Sequence, residues 1–196
     1  MNGNPFTLGH QYLIERAAAE SDVLHLFIVW EDRSSFPAEV RYELVKKGTK
    51  HLKNVVLHKG KDYIISNATF PSYFLKEEDD LVKVHALLDL EIFKNYIVPA
   101  LGINKRFIGE EPYCAVTKTY NDTMKETLPS SGIAVEEIKR LSREDEIISA
   151  SRVRDLIARE GLESIKNMVP ETTYQFLQSQ EAEPILEILR KSNSRH

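Results

Sequence analysis

The chain has 196 residues and a formal charge of −4, with 26 Lys and Arg against 30 Asp and Glu, 42% hydrophobic and 29% charged residues. That balance excludes a general nucleic-acid binder, which needs a basic face to displace counterions, and no apolar run approaches the roughly 20 residues that span a bilayer. One cysteine, Cys114, excludes an intramolecular disulfide and a cysteine-rich zinc site; the composition suits a cytoplasmic enzyme or binding domain.

In chain order, residues 1–6 (MNGNPF) read as a turn that runs directly into a helix over 9–20, with Leu13, Ile14, Ala17 and Ala18 on one face. There is no basic and apolar leader at the start. A strand that would ordinarily feed such a turn is missing: either Met1 is internal to a longer natural chain, or the fold does without its first strand. Val23–Trp30 (VLHLFIVW) has the length and continuous apolarity of a parallel strand covered on both faces. After a polar loop at 31–36, Pro37 opens a helix through about residue 50, and Asn54–His58 is a short strand. Residues 59–67 predict a turn and a further extended piece. Residues 68–80 predict a loop or short helix at the surface of a cleft. Helical spacing then runs from Asp80 to Leu101, ended by Pro99 and Gly102.

Arg106–Gly109 predicts a strand, 116–127 a helix and Ile133–Ile138 a strand. Ser149 has the features of an N-cap, with apolar spacing at Val153, Leu156 and Ile157 behind it. Shorter helices follow at 162–168, 170–177 and 182–190, and the last six residues are polar. Strands alternating with helices predict an α/β fold with a Rossmann-like, doubly wound parallel sheet, where ligands sit at the carboxyl ends of the strands. The expected division is an α/β domain over 1–178 and a C-terminal helical appendage over 179–196.

Two constellations can carry chemistry. In Asn4-Pro5-Phe6-Thr7-Leu8-Gly9-His10 a turn feeds a helix start, whose free N–H groups and dipole favour an anion. Gly9 lets a phosphate approach the backbone, and Thr7 and His10 offer donors for charge that grows during phosphoryl or nucleotidyl transfer. In Ile148-Ser149-Ala150-Ser151-Arg152-Val153-Arg154 two hydroxyls and two guanidiniums surround a second helix start. Arg152 and Arg154, two apart, do not share a helix face. Each stretch alone is equally well an ordinary capped helix, the first with an exposed histidine and the second with surface arginines.

Together, T-x-G-H near the start and I-S-x-S-x-x-R near the end resemble the two signatures of the HIGH-type nucleotidyltransferase superfamily. Thr7 stands at the first His of the first signature; Ala150 and Ser151 stand at the second Ser and the Thr of the other, with Arg154 as its Arg. A closer resemblance, to the C-terminal catalytic domain of the citrate lyase ligase family, covers nearly the whole chain. It is carried by 1–13 (MNGNPFTLGHQYL), 27–37, 41–49 (RYELVKKGT), 62–76 (DYIISNATFPSYFLK), 98–121 and 148–157, the block at 62–76 being the most diagnostic. Glu110 departs from that family's usual Thr. The acetyltransferase-like domain and the strand that usually precede the first motif in that family are not in this sequence, so the resemblance implies a fragment or the product of a truncated reading frame.

The resemblance implies an ATP-dependent, AMP-forming ligase. It activates acetate as acetyl-AMP, then acetylates the thiol of the CoA-like prosthetic group on the citrate lyase acyl carrier subunit. Thr7, His10, Ser151 and Arg154 are the implied catalytic residues. Asn4, Pro5, Phe6, Gly9, Arg33, Gly109, Ser149 and Arg152 are the implied nucleotide-binding ones. Tyr63, Phe70, Tyr73 and Phe74 are candidates for an acyl or pantetheine pocket, although an aromatic cluster is more often core. Mg²⁺ would accompany the triphosphate, bound through phosphates and water rather than a carboxylate cage. The alternatives open on the same residues are a phosphopantetheine-type adenylyltransferase and a non-catalytic nucleotide-binding module. Arg33 reads as a phosphate contact or a solvated loop charge, His25 as a satisfied core histidine, and Lys46, Lys47, Lys61 and the acidic run at 77–80 as solvated surface.

Overall fold

A computed structural model describes residues 1–31, 33–75, 80–143 and 146–193. In chain order the elements are α1 (Leu8–Ala19), β1 (Leu24–Ile28), α2 (Ala38–Gly48), β2 (Val55–Lys59), α3 (Ser72–Leu75), α4 (Asp80–Ile92) and α5 (Val98–Leu101). Then come β3 (Lys105–Gly109), α6 (Ala115–Thr127), β4 (Ala134–Ile138), β5 (Ser142–Arg143), β6 (Glu146–Ile147), α7 (Ala150–Glu160), α8 (Glu171–Leu177) and α9 (Glu183–Asn193). The chain forms two compact units: Met1–Ile28, Asp32–Lys59 and Arg140–His196 make the first, Val29–Glu31 and Gly60–Lys139 the second.

In the first unit β1 and β2 pair in parallel, Leu24 opposite Val55 through Ile28 opposite Lys59. Period-two alternation turns Leu24, Leu26 and Ile28 toward the helices and leaves His25 and Phe27 on the other side. The strand is therefore half-buried rather than covered on both faces, and His25 is satisfied by His58 at 2.9 Å, on a ring that stacks against Phe27. The core joins Phe6, Ile14, Ile28, Leu44 and Val45 to Val153 and Ile157 of α7. It also takes in Tyr174 and Leu177 of α8 and Ile185, Leu186 and Leu189 of α9. Residues from 179 onward thus supply part of this core.

The apolar stripe of α2 carries an intruder. Ala38, Arg41, Leu44, Val45 and Gly48 share the buried face, and Arg41 is fully buried. Its guanidinium donates to the Phe36 carbonyl at 2.9 Å and to the carbonyl and side-chain oxygen of Asn2 at 2.9 and 2.7 Å. A buried cation persists only when its donors are satisfied, and here they hold the N-terminal turn against α2. Gly48 completes that packing: a Cβ there would meet the Phe6 ring at 2.4 Å.

In the second unit β3 and β4 pair in parallel, Lys105 opposite Ala134 through Gly109 opposite Ile138. The parallel strands of this α/β chain thus come as two pairs, one in each unit. The extended piece expected within 59–67 does not form. Lys61 and Ile65 have φ of +43° and +49°, in the left-handed region, which a strand does not contain. Fully buried Asp89 holds that turn, accepting from the Ile65 N–H and the Thr69 hydroxyl, both at 2.7 Å, and from the Tyr120 hydroxyl. The Ser66 hydroxyl accepts the N–H groups of Ala68 and Thr69 at 3.1 Å, closing the loop on itself.

The helix expected over 80–101 is interrupted by a π-helical turn at Phe93–Ile97. Pro99 does not end it but lies in the first turn of α5, where its missing N–H costs an i→i−4 bond and the ladder widens instead. Gly102, at φ +64°, is the stop. The β5–β6 pair was not anticipated, since two residues per strand carry no periodicity.

Candidate phosphate site

Thr7 is the N-cap of α1, and its motif closes a capping box with histidine where glutamate is usual. The Thr7 N–H donates to His10 Nδ1 at 3.1 Å, and the Thr7 hydroxyl lies 2.9 Å from the same nitrogen. The Thr7 hydroxyl also accepts from the His10 N–H at 3.4 Å. Thr7 is 1% exposed. Its hydroxyl is thus occupied in setting the histidine and does not face outward as the sequence suggested.

The accepting role of Nδ1 places the imidazole proton on Nε2. Among the described residues no group takes that N–H. Burial first, then the positive charges of the Met1 amino group and Arg140, hold the imidazole down at about 4. His10 is half-buried rather than exposed, and it is a neutral donor at physiological pH. The linkage has a definite sign. Between the usual value of 6.5 and about 4 the unfolded chain binds a proton that the folded chain refuses, so stability falls as pH drops through that window. An NMR titration of the His10 ring is expected to show a midpoint near 4; a midpoint at or above 6.5 would remove the neutral-donor assignment.

The rest of the turn is structural. Pro5 is buried behind a cis Asn4–Pro5 bond, and Phe6 is fully buried in the core. The Asn4 side chain accepts from the Phe36 N–H at 3.1 Å. Pro5 and Phe6 therefore hold the turn from inside rather than face a nucleotide. Of the first amides of α1, that of Leu8 donates to the Met168 carbonyl at 2.9 Å, while that of Gly9 has no acceptor among the described residues.

Ser149 caps α7, accepting the Arg152 N–H at 3.2 Å. Its hydroxyl lies 3.2 Å from that of exposed Ser151. The amides of Ala150 and Ser151 have no acceptor among the described residues. Arg152 and Arg154 are both half-buried. Arg154 reaches back to donate to the Asn4 carbonyl, 150 residues away, and burial lowers its pKa. One anchored nitrogen leaves the rest of the guanidinium fork for a ligand.

The two helix starts meet. A Cβ on Gly9 would lie 2.7 Å from the Ile148 carbonyl oxygen, the residue just before the cap of α7. Two capped helices of 12 and 11 residues thus begin side by side with free amides, a neutral imidazole donor and guanidiniums around them. This arrangement suits an anion with several oxygens.

Arg33 is exposed on the loop after β1 and bonds to no described residue. Gly109 ends β3 in the second unit, and its carbonyl accepts from Asn121 at 2.9 Å. The next residue, Glu110, lines a cleft of about 290 Å³ together with Glu111, Lys118, Asn121, Lys125 and Glu137 among others. Phe70 is fully buried against Tyr73 and Tyr120, as core, and Tyr63 is 66% exposed. The side chain of Phe74 lies outside the described residues, as do residues 77–79 of the acidic run. No group of three or more His, Cys, Asp or Glu that could hold a metal ion occurs among the described residues, and no helix there is long and apolar enough to cross a membrane.

Sequence reasoning missed Arg41, Asp89 and Arg140. Arg41 was detectable as the one charge on the apolar stripe of α2, whereas Asp89 and Arg140 lack such a signal.

Parallel strands with crossover helices, and T-x-G-H and I-S-x-S-x-x-R on two abutting helix starts, define a chain of the nucleotidyltransferase-like α/β class. Residues 1–177 match the citrate lyase ligase C-terminal domain, and the chain belongs to that family. It is 48% identical over 184 residues to a [citrate [pro-3S]-lyase] ligase of Escherichia coli (strain K12), covering 91% of this chain and 52% of that one. Proteins of the same name from Haemophilus influenzae (strain ATCC 51907 / DSM 11121 / KW20 / Rd) and Klebsiella pneumoniae are 46% and 44% identical. These matches cover 91% and 90% of this chain and 55% and 53% of the relatives. The chain thus spans about half the length of the curated relatives it matches.

Proposed function

We propose that this chain carries the acid-activating chemistry of a citrate lyase ligase. The observation that supports it is the junction of the two helix starts at Gly9 and Ile148, which gathers amide, imidazole and guanidinium donors around one point. ATP is the proposed nucleotide, with its phosphates across that junction. His10 Nε2–H and the Gly9 amide face the α-phosphate, while Ser151, Arg152 and Arg154 face the two phosphates that leave. Thr7 and Ser149 act as caps that set these donors. Magnesium entering with ATP neutralises phosphate charge, and the phosphates and water are its proposed ligands.

A carboxylate oxygen of acetate attacks the α-phosphorus. The bond from that phosphorus to the bridging oxygen of the β-phosphate breaks, and pyrophosphate leaves with the electron pair. No general base is needed, because acetate is ionised at neutral pH. Catalysis is positioning plus stabilisation of charge on the oxygens. In the second step the thiol of the CoA-like group on the acyl carrier subunit attacks the acetyl carbonyl. A thioester forms, AMP leaves and the thiol proton is released. The proposed setting is the cytoplasm.

The test is ATP–pyrophosphate exchange on this chain with and without acetate. Exchange that requires acetate is the expected result. Exchange that ignores acetate and responds to a phosphorylated acceptor would replace this reading with an adenylyltransferase.

A further inference from the structure

The antiparallel register of β5 and β6 places Ser142 opposite Ile147 and Arg143 opposite Glu146. The Ile148 N–H donates to the Leu141 carbonyl at 3.2 Å, which carries the pairing one step past the hairpin. Arg140 directly precedes Leu141 in the chain and so borders the pairing that runs into Ser149, the cap of α7. Ile148 in turn abuts Gly9 at the start of α1. Arg140 is half-buried, and its charge reaches the His10 imidazole. Three chain segments therefore converge on the two helix starts, and the third brings a guanidinium.

We propose that Arg140, next to the Leu141–Ile148 pairing that leads into the cap of α7, is a phosphate-binding residue of this site and holds the pyrophosphate as it leaves. The proposal rests on the function proposed above. Chemistry supports it: the triphosphate is polyanionic, and His10 is a neutral donor there. Arg154 spends part of its fork on the Asn4 carbonyl. A further guanidinium supplies charge in the planar geometry that grips phosphate oxygens in pairs.

Isothermal titration of the chain with inorganic pyrophosphate and magnesium tests it, on the parent, R140Q and R140K. R140Q is expected to weaken binding at least tenfold. R140K is expected to recover part of it, since an ammonium keeps the charge but not the fork. Independently of any ligand, the NMR titration midpoint of His10 is expected to rise in R140Q, because a neighbouring positive charge is gone. R140Q that binds pyrophosphate as tightly as the parent overturns the proposal and leaves the proposed function standing, provided the parent shows acetate-dependent exchange. A parent that neither exchanges nor binds pyrophosphate overturns both. Should R140Q fail to fold, R140K decides: weaker binding than the parent supports the assignment, and parental affinity overturns it.

Discussion

His10→Glu is expected to keep or slightly raise the stability of the chain while lowering acetate-dependent exchange by about 10³-fold or more. The two effects have opposite signs because His10 does two jobs. Its Nδ1 completes the capping box with Thr7, and its Nε2–H is the donor proposed for phosphate. Glutamate is the usual residue at that capping position, and a negative charge in the first helical turn contributes about 0.3–1 kcal/mol through the dipole. It cannot donate when ionised, however, and it repels phosphate. Loss of a single preorganised donor costs roughly 10²–10³-fold, and like charge adds to that.

His10→Ala separates the contributions. It removes cap and donor together, so a stability loss of up to about 1 kcal/mol is expected alongside the roughly 10²–10³-fold loss of exchange. Chemical denaturation and exchange on the same samples check both. A His10→Glu chain that exchanges at the parent rate would take His10 out of the phosphate site.

Gly9→Ala is expected to lower exchange by about 100-fold and stability by up to about 2 kcal/mol. Helix propensity by itself predicts the reverse, since alanine is favoured over glycine by about 1 kcal/mol in a helix interior. Against that stands a Cβ placed 2.7 Å from the Ile148 carbonyl oxygen, a backbone atom that cannot swing aside. Overpacking of this kind costs typically 1–3 kcal/mol. The larger consequence is geometric. The clash forces α1 and α7 apart at the point where their amides converge, and a displacement near 1 Å of positioned groups costs about 10²-fold in rate. Melting and exchange of Gly9→Ala test this, and a variant with higher stability and full exchange would show that the contact yields without consequence.

Much of the fold was legible because its determinants are local. Ser149 is recognised as a cap by its side chain and the apolar spacing behind it, and the structure bonds it to the Arg152 N–H three residues on. The helices over residues 8–19 and 115–127 and the strands at 24–28 and 134–138 follow from periodicity within a few residues. The two motifs and the block at 62–76 carry the resemblance that the match over residues 1–177 bears out. The extended piece expected within 59–67 does not form for the opposite reason, a determinant that is not local. Tyr63-Ile64-Ile65 has strand composition, but the buried carboxylate of Asp89, 24 residues on, holds Ile65 left-handed.

The helix starts, their caps and the family whose pattern they repeat are thus written in short stretches of sequence. How those starts are used depends on the packing of distant segments. It turns the Thr7 hydroxyl inward onto His10, ties Arg154 to a carbonyl 150 residues away, and buries Arg41 against Asn2. It also makes Gly9 a contact between helices rather than simply an opening for phosphate. The difference is one of range. Capping and periodicity act within about four residues, whereas the burial of a charge and the approach of two helix ends depend on which distant segments the core brings together.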